Sequence, residues 1–391
     1  MDLLGLPFLL LLCAIAAALL VAVLRTWSRW PQRFALPART LSLLLVMAMG
    51  AVLAGDLLNR SEGFYSSFSD LLGTSPVHEP PDSFSLGRSK AQLDILTPDW
   101  EARGRRAAAD GRGTIVAARF GGSRSGIVRT GLLYLPADYF SPLSRVRFAV
   151  VEVFHGTPGG PGNVADKLHI ARLLDTEIGT ARIPPVIAAI PTTYEHQSSE
   201  CVDAVRGERD ETFLAVDVPA DVEARFPVLP GRSFAALGYS TGGFCAVNLA
   251  LHHPDRYAAA ASLSGYFTAG TDPGTARLYR GSKTALQRNS PLWWVSHRAP
   301  TAPPLYLFAS AGDHSRPNTA RQQAALAAAI RSHAPRLLTD TVMLPSGGHT
   351  WSTWEVAIPP ALDWMATFLP QPLAPPLTLP PAPPLNLGSR V

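Results

Sequence analysis

The chain has little charge and little cysteine. Asp, Glu, Lys and Arg make up 16% of its 391 residues, against 47% hydrophobic ones. That balance is apolar for a soluble enzyme and points to a membrane portion. The net charge of +4 comes from arginines that are scattered, apart from one cluster near the start. No basic–aromatic stripe accompanies them, so nucleic-acid binding is not expected. The three cysteines, Cys13, Cys201 and Cys245, show no Cys-x-x-Cys or Cys/His spacing. No zinc site follows from them, and no metal or cofactor is expected.

Apolar runs, by contrast, are prominent at the start. Leu3 to Leu24 carries no charge and is long enough to cross a bilayer as a helix. Arg25, Arg29, Arg33 and Arg39 follow it, and a second run extends from Leu41 to Gly55. About 15 residues span only roughly 22 Å, somewhat less than the hydrocarbon core, unless Leu57 and Leu58 extend the run past Asp56. The positive charges follow the first run and do not precede it, which argues against a cleaved signal peptide. We therefore expect a membrane anchor at 1–58 with two spans, about 3–24 and 41–58. The arginine loop would lie in the cytoplasm and both termini outside, at the plasma membrane. Residues 59–111 read as a linker whose charged second half begins a helix, 112–369 as a catalytic domain, and 370–391 as a disordered Pro-rich tail.

From Thr114 the texture becomes strand-like. Two runs, Thr114–Phe120 and Ile127–Leu135, predict a hairpin. Apolar strands are then expected near 148–154, 184–191, 234–237, 257–264, 304–310 and 341–344. Helices are expected over 163–178, 211–226 with a break near Pro219, 318–333, and from Pro359-Pro360 to about Leu369. Thr268 to Pro300 reads as an irregular insertion over the site. Strands alternating with helices mean an α/β sheet, mostly parallel with an antiparallel edge.

The chemistry gathers around Gly238-Tyr239-Ser240-Thr241-Gly242. The Gly-x-Ser-x-Gly pattern lies between a short apolar run and a small-residue helix, as a strained strand-to-helix turn requires. Alone the pattern is weak, since a glycine-rich turn gives the same five residues. A serine hydroxyl also needs a base and a group that fixes the base. Asp313 follows one apolar strand and His349 the next, in the order Ser, Asp, His. Both would then reach the C-terminal edge of the sheet beside Ser240. Asp313 competes with a helix-capping role, and Asp340 and Glu355 are rival acids. His349 competes with a turn role. His155 is a second possible base, although its His155-Gly156 turn looks more like part of an oxyanion loop. The backbone N–H groups of Thr241 and Thr157 would form the oxyanion hole. His155, Gly156, Tyr239 and Trp351 are the expected substrate contacts. Trp354, Trp293 and Trp294 would line a pocket or pack in the core.

Residues Thr114 to Leu369 resemble the esterase D branch of the α/β-hydrolases. That branch includes S-formylglutathione hydrolases, feruloyl and enterochelin esterases, and antigen-85-type mycolyltransferases of actinobacteria. The matching stretches are His155-Gly156-Thr157-Pro158-Gly159-Gly160, Gly238-Tyr239-Ser240-Thr241-Gly242-Gly243, His253-Pro254-Asp255-Arg256-Tyr257 and Gly347-Gly348-His349-Thr350-Trp351. Membrane-anchored actinobacterial esterases are especially similar. The resemblance implies an α/β-hydrolase fold with Ser240, Asp313 and His349 as the triad. The chain departs from the antigen-85 pattern around the serine and in carrying Asp where Glu is used there. Its acceptor is therefore open between water and a sugar hydroxyl. The substrate would be an acyl ester, of lipid or sugar type. Cys201 and Cys245 are expected to form a disulfide if the domain lies outside, the alternative being two buried thiols.

Three functions compete at this level. One is a serine esterase or acyltransferase facing outward. Another is a catalytically silent α/β-hydrolase serving as an envelope scaffold. The third is a small transporter or sensor, which two short spans without an intramembrane ionisable pair do not support.

Overall fold

The computed structural model describes residues 6–62, 93–141, 146–195, 197–270, 274–298, 301–315 and 317–371. Most of the expected linker and nearly all of the expected tail lie outside these residues.

Two helices open the chain, α1 (Leu6–Thr26) and α2 (Gln32–Glu62). Both are long and apolar enough to cross a membrane, with mean hydropathies of 2.9 and 2.2 over their most apolar stretches. Leu10, Leu44 and Met47 are among their many exposed apolar side chains. The second helix is not short. It has 31 residues and includes Pro37, giving a length of about 46 Å. Arg25 lies in the last turn of α1, and Arg33 and Arg39 lie inside α2, so only Arg29 of the four occupies the turn.

One nine-stranded sheet organises the rest, in the order β1-β2-β3-β5-β4-β6-β7-β8-β9. The strands are β1 (Asp94–Ile95), β2 (Thr114–Gly121), β3 (Val128–Leu135), β4 (Ala149–Phe154), β5 (Val186–Pro191), β6 (Phe234–Tyr239), β7 (Tyr257–Leu263), β8 (Leu305–Ser310) and β9 (Thr339–Leu344). β1, β2, β3 and β5 pair antiparallel in turn, and from β5 to β9 every pair is parallel. The central strands β4 to β8 are buried on both faces, which is why they read as continuous apolar runs. Val150, Phe154, Ala236 and Leu307 enter one core with Phe213 and Val247. Val151, Val153, Ala235 and Leu237 enter the other with Leu174, Ala361 and Leu362.

β4 lies between β5 and β6, so the chain leaves it in one direction and later returns on its other side. Crevices for ligands form at such a reversal, outside the C-terminal ends of the strands. The loop after β4 and the turn after β6 meet there.

Several elements differ from expectation. The globular fold begins before residue 112, because β1 pairs with β2 and the helix Trp100–Ala109 packs on Tyr139 and Phe140. Gly104 makes that packing feasible, since a Cβ there would lie 2.1 Å from the Phe140 ring. The helix expected over 163–178 is two, Pro161–Asp166 and Ile170–Gly179, separated where His169 takes φ 49°. Asp210 to Arg225 is continuously helical, with a π turn at Phe213–Asp217 ahead of Pro219. Pro359 and Pro360 do not open the closing helix but sit inside it (Trp351–Ala366). Burial of Trp354, Ala357, Ile358, Ala361, Leu362 and Met365 on both flanks carries the helix through the prolines.

Candidate active site

Ser240 closes β6 and opens the helix α3 (Thr241–His252). Its backbone sits at φ 55°, ψ −124°, outside the regions favoured by L-residues. Two glycines permit the turn. A Cβ on Gly238 would lie 2.0 Å from the Gly242 carbonyl oxygen, and one on Gly242 2.0 Å from that of Phe154. Strand, turn and helix are thus pressed together, and the serine hydroxyl is lifted onto the sheet edge. Thr241 takes the first helical position, where the N–H has no intrahelical acceptor. The helix dipole there favours negative charge.

The loops after β8 and β9 bring the other two groups. Gly312 lets them touch, since a Cβ on it would lie 2.5 Å from the Gly347 carbonyl oxygen. Ser310 Oγ also donates to that oxygen at 2.7 Å. Gly347 adopts φ 125° and turns the chain into Gly348-His349. His349 Nε2 lies 2.8 Å from Ser240 Oγ, and its Nδ1 lies 2.8 Å from Asp313 Oδ2. Asp313 is fully buried and also accepts from Ser315 N–H at 2.9 Å and Thr319 Oγ at 2.8 Å. Burial opposes its ionisation, but the hydrogen bonds from His349 and Ser315 hold its carboxyl well below the usual range. Thr319 opens the helix Thr319–His333, so the capping segment also fixes the acid. The rival acids lie elsewhere. Asp340 is exposed on β9, and Glu355 pairs with Arg172 at 2.5 Å.

Aromatic side chains support this row. Trp354 presents its ring to His349 at 4.8 Å and to Tyr239 at 4.7 Å. Trp351, half-buried, meets Tyr239 at 5.3 Å and Trp354 at 5.2 Å. Tyr239 was expected to contact substrate but is buried beneath this group. Desolvation raises its hydroxyl pKa above the usual tyrosine range.

His155 also departs from expectation. It is fully buried, with Nδ1 2.9 Å from the Gly156 carbonyl oxygen and Nε2 receiving the Thr193 N–H at 3.0 Å. It therefore faces neither Ser240 nor a substrate. Gly156 itself abuts the serine, since a Cβ on it would lie 3.0 Å from Ser240 Cβ. Thr157, half-buried, follows at the same crevice.

Cys201 and Cys245 form a disulfide that ties the loop after β5 to α3 just past Ser240. The next residue back, Glu200, is buried and accepts from Tyr266 and Tyr279 hydroxyls and from Gly270 N–H. Loop and insertion are thereby joined. The insertion is not irregular but holds the short helices Ala276–Tyr279, Lys283–Arg288 and Pro291–His297. Trp294 meets His252 at the far end of α3, about 18 Å along the helix from Ser240. Trp293 stacks on His297. The stretch His253-Pro254-Asp255-Arg256-Tyr257 likewise serves the base of α3. Glu211 lies against both His252 and His253, and Tyr257 donates to the buried Glu152 at 2.7 Å.

Residues 124–365 match a protein-family model described as "Putative esterase". The chain belongs to this esterase family. An uncharacterised protein of Corynebacterium glutamicum is 25% identical over 249 residues, covering 61% of this chain. The match covers 57% of that relative, so the chain spans little more than half its length. Among solved structures, a ferulic acid esterase is similar with a TM-score of 0.58 and 18% identity, over 66% of this chain and 99% of that one. An S-formylglutathione hydrolase from Agrobacterium tumefaciens gives a TM-score of 0.58 at 15% identity, over 71% and 100%. These likenesses carry the fold, which is that of the α/β-hydrolases.

Sequence reasoning missed Thr193, Tyr194, Arg129 and Thr319. Each acts through another residue or through backbone, and none lies in a recognisable spacing.

Proposed function

We propose that this chain is a serine-dependent carboxylic-ester hydrolase or acyltransferase that works through an acyl-enzyme on Ser240. The observation that carries the reading is the hydrogen-bonded row Ser240–His349–Asp313 at the strand-order reversal. In this reading Ser240 Oγ attacks the ester carbonyl carbon while its proton passes to His349 Nε2. Asp313 holds Nδ1–H and stabilises the imidazolium. The carbonyl oxygen gains the electron pair and is met by the N–H groups of Thr241 and Thr157. Collapse breaks the bond to the alkoxy oxygen, which leaves with the proton from His349. A water or a sugar hydroxyl then enters, gives its proton to His349 and attacks the acyl carbon; the acyl–Oγ bond breaks and Ser240 Oγ takes the proton back from His349.

The reading places the catalytic domain outside the plasma membrane, anchored by α1 and α2. Arg25, Arg29, Arg33 and Arg39 at the hairpin end mark that end as cytoplasmic. A disulfide also suits an oxidising compartment.

The test uses the full chain in detergent beside its Ser240→Ala form. Turnover of p-nitrophenyl esters and fluorophosphonate labelling are expected for the first and not the second. Acyl transfer to added trehalose would assign the acceptor as a sugar. A folded protein with neither turnover nor labelling would leave the silent-scaffold reading in its place. Extracellular protease shaving of intact cells tests the orientation.

A further inference from the structure

We propose that His155 is a positioning residue that orients the Gly156–Thr157 peptide and so builds half of the oxyanion hole. The proposal rests on Ser240 acting as the nucleophile.

The tautomer of His155 is decided by its two backbone partners, and the Thr193 hydroxyl, 3.1 Å from Nε2, suits the same assignment by donating. The Thr193 N–H can only donate, so Nε2, 3.0 Å away, must accept. A neutral imidazole that accepts at Nε2 carries its hydrogen on Nδ1. Nδ1–H therefore donates to the Gly156 carbonyl at 2.9 Å. Burial, aided by the positive charge of Arg129, lowers the pKa of His155 to about 4, so the ring is neutral at neutral pH.

The acceptor side is equally fixed. The Thr193 carbonyl receives Arg129 Nη1 at 3.2 Å and Ser199 Oγ at 2.8 Å. Arg129 is buried on β3 and held by Asp210 at 2.5 Å and Glu208 at 2.8 Å. At the far end of the loop, Gly159 N–H donates to Tyr194 Oη at 2.9 Å, and the Tyr194 ring lies 5.3 Å from His155.

The consequence falls on one peptide. Gly156–Thr157 is trans, so its C=O and N–H point in opposite directions. With the carbonyl turned to the imidazole, the Thr157 N–H turns away from it, and the proposal directs it to the oxyanion beside Ser240, which Gly156 abuts. A flipped peptide would present a carbonyl lone pair to the developing oxyanion in place of a donor. A glycine ahead of the bond makes such a flip accessible, and the imidazole hydrogen bond opposes it.

Two substitutions separate the two ring nitrogens. His155→Asn keeps a donor near the Nδ1 position and loses the distal acceptor. His155→Gln keeps an acceptor near Nε2 and loses the donor to Gly156. With the full chain in detergent and p-nitrophenyl acetate as probe, we expect His155→Gln to lower kcat about 100-fold with KM within about threefold. His155→Asn should keep kcat within about fivefold, although each variant loses one buried hydrogen bond and melts at a similarly lowered temperature. Unchanged kcat in His155→Gln overturns the proposal. So does an equal loss of kcat in both variants. Should His155→Gln not fold, a 100-fold loss in a folded His155→Asn overturns it, and retention supports it. If wild type shows no Ser240-dependent turnover, the functional reading fails separately. Crystal structures then decide the inference alone: a Gly156–Thr157 peptide unturned in His155→Gln overturns it, and a turned one supports it.

Discussion

His349 and His155 each reach the C-terminal edge of the same sheet, one after β9 and the other after β4. Each uses both ring nitrogens, but for different partners. His349 spans two side chains that can exchange or stabilise a proton, Ser240 and Asp313. His155 spans two backbone groups, Thr193 N–H and Gly156 C=O, with the Thr193 hydroxyl also 3.1 Å from Nε2. One is suited to proton transfer and the other to geometry. Residue type does not separate them; the partners and the burial do.

The sharpest way to break this comparison is to remove the proposed proton-transfer row. Ser240→Ala and His349→Ala should each lower kcat on p-nitrophenyl acetate about 10⁶-fold, and together no further, because they act as a unit. Losses that multiply in the double variant would sink the shared role. Asp313→Asn should cost about 10⁴-fold by leaving His349 in the wrong tautomer. A loss under tenfold would return Asp313 to a capping role.

Acid sharpens the comparison from the other side. The folded pKa of His155, about 4, is below its usual 6.5. The unfolded chain therefore binds the extra proton first as pH falls. Stability from this group is complete above about pH 6.5 and is lost as pH falls through 4. The loss amounts to about 3 kcal/mol. Urea melts across that window should differ in slope between wild type and His155→Asn, since Asp210 and Asp221, both lifted to about 6 by burial, act equally in the two; equal slopes would refute the buried neutral ring. Glu152 gives the opposite sign. Burial lifts its pKa to about 8, so its contribution is complete below about pH 4.5 and lost as pH rises through 8. Glu152→Gln should raise the melting temperature at pH 9 and leave it nearly unchanged at pH 4.5.

A smaller effect is expected from the disulfide that braces the wall beside Ser240. It closes a 44-residue separation, and replacing both cysteines by alanine should cost about 2–4 kcal/mol in urea unfolding. No change in the midpoint would mean the loop is held without it, through Glu200.

Much of the site could be read from the chain because its parts are local. Gly238 and Gly242 are demanded by close approach inside one turn, and Ser240 is held there in a strained conformation. Following strand ends leads to Asp313 and His349, since parallel strands deliver all their C-termini to one edge. What was left open or misread concerns contacts between distant segments. Trp293 and Trp294 stay open in the sequence between a pocket and the core, and Trp294 packs against the core and on His252, about a helix length from Ser240. Helix Trp100–Ala109 looked like linker because its apolar partner, Phe140, comes more than thirty residues later.

By itself the sequence determined the strand–serine–helix turn, the alternation of strands and helices, and two N-terminal helices apolar enough to span a membrane. These follow from steric limits and periodicity within a few residues. Only the tertiary structure decided that His155 is buried and neutral, that Arg129 reaches Asp210 from 81 positions away, and that Thr319 completes the shell of Asp313. Protonation state and hydrogen-bond direction depend on what surrounds a group in space, and the folded sheet edge brings those surroundings together.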